Sequence, residues 1–250
     1  MDILEIQAKT ALVRSGIAGV GYVINPYIGC GHGCLYCYAV FMRKHSRCHA
    51  NARWGTFVEC KGNIVELLQK ELRRKKKRES VMLSSVCDPY QPAERRWKLT
   101  RGCLEVLREF GWEVEILTRS SLVLRDLDIL KTMPQVSVGF SLGTENERVR
   151  SVLEPGAPPI HSRVEALREL HRAGIPTWVF IAPMLPMDPR RLYEMVSPYV
   201  DHVLIDALNY RRQVHEVFIR NQWDYALTDE YARDTCGRLM ELFGEQARQV

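Results

Sequence analysis

The stretch Asn25-Pro26-Tyr27-Ile28-Gly29-Cys30-Gly31-His32-Gly33-Cys34-Leu35-Tyr36-Cys37-Tyr38-Ala39 places three cysteines at the spacing C-x3-C-x2-C. A closed zinc site usually takes four ligands, often as two C-x2-C pairs, and no second pair follows. His32 would have to ligate from inside the same tight loop. A two-cluster ferredoxin would show a longer cysteine run with a fourth member. Cys34-Leu35-Tyr36-Cys37 alone would match a C-x-x-C dithiol, but that reading leaves Cys30 without a role. Three thiolates on a four-iron cube leave one iron without a protein ligand, open to a small chelating molecule. Glycines at 29, 31 and 33 let the backbone wrap closely around such a bulky inorganic group.

The rest of the chain supplies the setting. Its 250 residues suit one large domain, 46% hydrophobic and 26% charged, with apolar material for a substantial core. The opening Met1-Asp2-Ile3-Leu4-Glu5 is acidic and lacks the apolar stretch of a signal peptide. The longest apolar run, Trp178 to Met187, is too short and too broken by proline to span a membrane. The expectation is a cytoplasmic protein without membrane attachment. In that setting clustered cysteines point to metal or catalysis rather than disulfides. Of the eight cysteines, Cys48, Cys60, Cys103 and Cys236 are scattered and read as small buried apolar residues.

Short apolar strands alternate with amphipathic helices. Strands are expected at Gly21–Ile24, Val81–Val86, Glu113–Thr118, Gln135–Ser141, Thr177–Ala182 and Asp201–Asp206. Helices are expected at Asn63–Arg74, Pro92–Phe110 (stopped by Gly111), Leu122–Met133, His161–Ala173, Pro189–Tyr199 and Asp229–Phe243. Six parallel βαβ units follow, in an open doubly wound sheet or a partial barrel; periodicity alone does not choose. A Rossmann sheet would carry Gly-x-Gly-x-x-Gly after its first strand, and here a cysteine motif stands instead.

C-x3-C-x2-C with an aromatic before the last cysteine resembles the radical S-adenosylmethionine (SAM) signature. The flanking residues resemble the spore photoproduct lyase-like members: Asn25-Pro26-Tyr27, Tyr38-Ala39, Asp88-Pro89-Tyr90-Gln91-Pro92-Ala93-Glu94, Leu117-Thr118-Arg119-Ser120, Leu153-Glu154-Pro155 with Arg163, and Ala182-Pro183-Met184-Leu185-Pro186. This resemblance implies an α/β fold, a partial (β/α)6 TIM-type barrel in a single domain over 1–250. Its core would be about 20–206, with a C-terminal lid and helix segment at 207–250. It implies a [4Fe–4S] cluster on Cys30, Cys34 and Cys37, and SAM on the open iron. The resulting 5′-deoxyadenosyl radical would take a hydrogen atom from a substrate. It further implies that the Tyr36 backbone meets the adenine, that Ser141 lies near the ribose, and that Arg119 stands where relatives carry a lysine facing the SAM carboxylate. In the lyases a cysteine near the second strand's end returns a hydrogen atom to the product. That position falls on Ser85, counted among the cofactor-binding residues, and Cys87 two residues later is the candidate catalytic residue. A serine there argues against true photoproduct repair. Asp88 and Glu94 read as caps of the following helix.

The strand pattern by itself places these polar residues together. In parallel barrels the site forms at the C-terminal strand ends, where Ser84, Ser85, Cys87, Asp88, Thr118, Arg119, Ser141, Asp206 and Asn209 fall. The net charge of +5 comes from one run, Arg73-Arg74-Lys75-Lys76-Lys77-Arg78; without those six, 29 basic residues face 30 acidic, a net of −1. That run reads as a solvated helix end in preference to a phosphate contact. Tyr210 to Trp223 blends aromatic and basic residues, suited to single-stranded nucleic acid or to a lid. Nucleic acid is therefore an allowed partner but not the favoured one. A reducing partner such as flavodoxin or ferredoxin is expected, with the substrate a peptide, protein or small molecule, or a DNA lesion. The rival classes are a non-enzymatic iron–sulfur protein for electron transfer or redox sensing, and a zinc-stabilised binding module.

Overall fold

The computed structural model describes residues 1–46 and 48–250. Its strands are β1 (Asp2–Ile6), β2 (Val13–Arg14), β3 (Tyr22–Ile24), β4 (Tyr27–Ile28), β5 (Phe57–Lys61), β6 (Val81–Leu83), β7 (Val114–Thr118), β8 (Val136–Ser141), β9 (Thr177–Ile181), β10 (His202–Ile205) and β11 (Ala247–Gln249). Its helices are α1 (Ile64–Arg73), α2 (Glu94–Trp97), α3 (Leu99–Phe110), α4 (Leu127–Leu130), α5 (Glu147–Leu153), α6 (Ile160–Arg172), α7 (Pro189–Val196), α8 (Arg211–Arg220) and α9 (Asp229–Phe243).

The main sheet runs β11-β10-β9-β8-β7-β6-β3-β2. Its neighbours are parallel from β3 through β11, and β2 alone is antiparallel. Among the described residues its rims, β2 and β11, do not pair with each other. Six parallel strands, β3 and β6 to β10, thus make the expected partial (β/α)6 barrel. Alternation along β7 shows how the layers sort: Val114 and Ile116 join the core under the helices, while Glu115 and Leu117 face the interior cavity. Among the described residues no helix is long and apolar enough to cross a membrane.

Four expectations need correction. The helix Pro92–Phe110 is two helices, because Lys98 turns left-handed at φ +50°. The fully buried Glu94 carboxylate then accepts from Thr100 N at 2.9 Å and Arg101 N at 3.3 Å, capping α3. The helix Leu122–Met133 is a 3₁₀ turn followed by the four-residue α4; buried Asp126, held by Arg101 at 2.9 Å and Arg125 at 2.7 Å, overrides its periodicity. The strand from Val81 stops at Leu83, since Ser84 has φ +66° and Asn25 Oδ1 takes the amides of Ser85 and Val86 at 2.9 and 3.2 Å. Cys48 is exposed, whereas Cys60, Cys103 and Cys236 are buried.

The sequence reading also lacked a second sheet, β1-β5-β4, in which β1 runs parallel to β5 and β4 antiparallel. It lacked α5, α8 and β11 as well, and β11 makes the C-terminal segment part of the main sheet rather than a cover alone. The basic run begins at the last residue of α1 and is exposed throughout, with Lys75 Nζ donating to Tyr22 Oη at 2.6 Å. It leads into β6, so it sits at the N-terminal ends of the parallel strands.

Candidate active site

The cysteine loop leaves the small sheet at Ile28 and turns at once through Gly29, φ +86°. A Cβ there would stand 2.5 Å from the Phe57 carbonyl oxygen, so this crossing admits only glycine. Gln91 splints the loop, donating to Gly29 O at 3.1 Å and accepting from Gly31 N at 2.9 Å. Leu35 N to Leu153 O and Gly156 N to His32 O, both 2.9 Å, tie it to the end of α5. Cys30 and Cys34 are buried and Cys37 is half-buried, all as free thiols.

All eight residues singled out by sequence, Cys30, Cys34, Tyr36, Cys37, Ser85, Cys87, Arg119 and Ser141, line one cavity of about 450 Å³. Asp88, Asp206 and Asn209 line it too, so the C-terminal strand ends converge on the cysteine loop.

Burial dominates the electrostatics. It pushes the Cys30 thiol well up, and Cys34 to about 12 against the pull of Arg119. The Cys37 thiol is likewise raised by burial. Cys87 is pushed up to about 12, and its Sγ lies 2.9 Å from Ser84 Oγ. Beside the loop, Glu154 (1% exposed) takes Arg163, the Tyr36 hydroxyl and, at 3.3 Å, Arg119 Nε. Burial alone would raise the Glu154 carboxyl, but Arg163 and Arg119 outweigh it and hold it at about 2. Arg119 Nη2 also donates to Tyr36 Oη at 3.2 Å, and Arg163 Nη1 donates to the Ser141 carbonyl at 3.1 Å.

Asp88 accepts from Thr118 Oγ1 at 2.7 Å, Arg119 N at 2.7 Å and Tyr90 N at 2.8 Å, clamping the ends of β6 and β7 together. Burial would raise it, yet His32 and these donors keep it at about 2. Neither carboxylate caps α2: Asp88 clamps a neighbouring strand as well as its own turn, and Glu94 caps α3.

Other residues at the cavity or behind its wall take roles that the sequence pattern did not assign. Asn25 props the Ser84–Val86 loop, and the Tyr38 hydroxyl donates to the Ser85 carbonyl. Tyr38 stacks on Tyr210 at a centroid distance of 6.4 Å, which brings the aromatic-basic segment to the cavity wall. Trp54 Nε1 and His32 Nδ1 are buried beside the thiols without a hydrogen-bond partner, His32 Nδ1 lying 3.4 Å from Asp88 in poor geometry. Tyr38 adjoining the last cysteine was the available signal; nothing in the sequence marked Trp54.

A half-open parallel barrel with three thiols at its C-terminal mouth defines a class of cofactor-dependent enzyme. The family model described as the Radical SAM superfamily matches residues 24–197. The chain belongs to the radical SAM superfamily, enzymes of SAM-dependent radical chemistry. An uncharacterized protein of Methanocaldococcus jannaschii is 34% identical over 211 residues, covering 84% of this chain and 78% of its own length. A radical SAM Nα-GlyT isomerase of Pseudomonas phage M6 is 28% identical over 188 residues, 72% of this chain and 38% of the isomerase. In fold, the chain is similar to a spore photoproduct lyase variant with bound SAM and dinucleoside spore photoproduct. That match has a TM-score of 0.68 and 16% identity, and covers 99% of this chain and 81% of the lyase. Streptococcus suis SuiB bound to SAM matches with a TM-score of 0.54 and 15% identity, over 80% of this chain and 44% of SuiB.

Proposed function

We propose that Cys30, Cys34 and Cys37 hold a [4Fe–4S] cluster with SAM on its open iron, and that the enzyme takes hydrogen from an organic substrate in the adjoining cavity. The observation carrying this reading is that three thiols in one glycine-permitted loop share a cavity with Tyr36, Ser85, Cys87, Arg119 and Ser141. The donor set suits the cluster, and the orphan ring nitrogens of Trp54 and His32 suit hydrogen bonds to its sulfurs. When bound, cluster and SAM supply one-electron cleavage of SAM to methionine and a 5′-deoxyadenosyl radical, with the electron from a partner such as flavodoxin or ferredoxin.

The protein's own part is placement. Neither the N–H nor the C=O of Tyr36 is used in the turn and loop bonds among the described residues, which leaves this backbone for the adenine. Arg119 spends Nε on Glu154 and part of Nη2 on Tyr36, keeping Nη1 for the SAM carboxylate. Ser141 and Ser85 line the cavity where ribose and substrate would lie. Cys87 is the candidate hydrogen donor to the product, because its half-buried thiol lines the cavity two residues beyond Ser85. Likeness in fold does not select the substrate; the cavity does.

Anaerobic reconstitution should give about four irons per chain, and dithionite should then yield 5′-deoxyadenosine from SAM. Cys30→Ala, Cys34→Ala and Cys37→Ala should each lose both. Cys60→Ala, Cys103→Ala and Cys236→Ala should lose neither. A protein that takes up iron and electrons but never releases 5′-deoxyadenosine would be an electron carrier, and a colourless zinc-loaded one a binding module.

A further inference from the structure

Beyond the cysteine loop, the barrel strands present Met82, Glu115, Leu117, Trp178, Phe180 and Leu204 to the cavity. Five are apolar or aromatic and one is a carboxylate. Its backbone pairs with both neighbouring strands, but the Glu115 carboxylate makes no hydrogen bond or ion pair among the described residues. The other Asp, Glu and Arg side chains of the lining are engaged: Arg119 with Glu154, Asp88 with Thr118, and Asp206 with Ala207 N at 2.8 Å and Asn209 Nδ2 at 3.0 Å.

We propose that Glu115 is a specificity residue that binds an organic cation, an ammonium or guanidinium on a hydrocarbon stem, carried by the substrate. This deepens the reading of the cavity as the substrate site and rests on it.

A half-buried carboxylate without a partner is costly, and a cation from outside would relieve that cost. Burial, helped by neighbouring Glu113, already pushes its carboxyl up, as expected of a group whose counter-charge is missing. The surroundings fit such a ligand on two further counts. Met82, Leu117 and Leu204 would pack a hydrocarbon stem, and aromatic side chains such as Phe180 favour cations at their faces. Gly139 keeps the wall flat, since a Cβ there would run into the Trp178 indole. Glu115 precedes Thr118 by three residues, about 10 Å along the strand. It therefore reads a distal part of the substrate and positions it, away from the bond that breaks.

The test uses reconstituted protein with SAM, titrated by calorimetry with phenethylamine and with its neutral counterpart 2-phenylethanol. The amine should bind roughly tenfold tighter, a gap of about 1.4 kcal/mol. Glu115→Gln should erase that gap while leaving the alcohol unchanged, and Glu115→Asp, which keeps the charge, should retain most of it. Equal binding of the two probes, a gap that survives Glu115→Gln, or no binding of either overturns the proposal. Stronger dependence of cytidine than of the amine on Glu115 also overturns it, in favour of a neutral base edge. Because calorimetry needs no turnover, absence of 5′-deoxyadenosine would sink the radical reading separately from this one.

Discussion

Two buried carboxylate–arginine networks in this molecule are made of the same parts and end differently. Between α3 and the 121–130 segment, the fully buried Glu94 and Asp126 take Arg125 at 2.6 and 2.7 Å, Arg101 joins Asp126 at 2.9 Å, and Tyr27 closes on Glu94. At the cavity, Glu154 takes Arg163, Arg119 and Tyr36. The first network is consumed by protein, with Glu94 also capping α3. The second stops one donor short: Arg119 lines the cavity and keeps N–H groups that neither Glu154 nor Tyr36 takes. Residue type does not separate structure from function here. The number of donors left over does.

The largest effects should come from removing each carboxylate's charge. Glu94→Gln and Glu154→Gln should each cost about 3–5 kcal/mol of stability by urea denaturation, as arginines lose a buried partner. SAM affinity of the folded fraction should fall only in the Glu154 variant. If Glu94→Gln weakens SAM equally, the two networks are not distinct.

Acid should reveal the second network next. Glu154 is held at about 2 in the folded protein against an ordinary 4.5. A depressed carboxyl stabilises the fold fully above about pH 4.5, and that contribution is lost as pH falls toward 2. The loss should be on the order of 3 kcal/mol. Denaturation midpoints compared at several pH values should show it, and Glu154→Gln should flatten the profile.

Smaller and more selective is Arg119→Ala. It should weaken SAM binding by roughly 1.5–3 kcal/mol, the range for hydrogen bonds to charged groups. The cluster should still assemble, since Arg119 is not a ligand. Arg125→Ala should leave SAM affinity untouched; a matching loss there would erase the contrast.

The least effect on chemistry should follow from replacing residues 73–78 with Gln or Ser. SAM cleavage should not change, while weak, salt-sensitive DNA binding should largely disappear. Tight lesion binding that instead depended on Tyr210 to Trp223 would move nucleic acid to the front.

The alternation of strands and helices along the chain was legible because largely buried parallel strands write short apolar runs between helical periods, as in Val136–Ser141 and Thr177–Ile181. The thiol loop was legible because its spacing is local. What stayed hidden depends on partners distant in sequence. Residues 2–6 pair with 57–61, and neither segment shows that in its own pattern. Lys98 breaks a helix whose apolar period runs on through it, for a capping bond from Glu94 that only the fold reveals. Glu154 was marked by resemblance to a family motif; its meeting with Arg119, 35 residues away, was beyond local physics. Glu115 stood in plain view as a charge inside a strand, but its missing partner becomes visible only when the strands are assembled.

The exposed basic run has a directional consequence. It leads into β6 at the N-terminal ends of the parallel strands, whereas the thiol loop and the cavity mouth lie at their C-terminal ends. Any polyanion gripping the molecule by this handle would hold it with the mouth turned outward, like a tool fixed by its grip. A tether there would leave the reactive end free to work on something other than the tether itself.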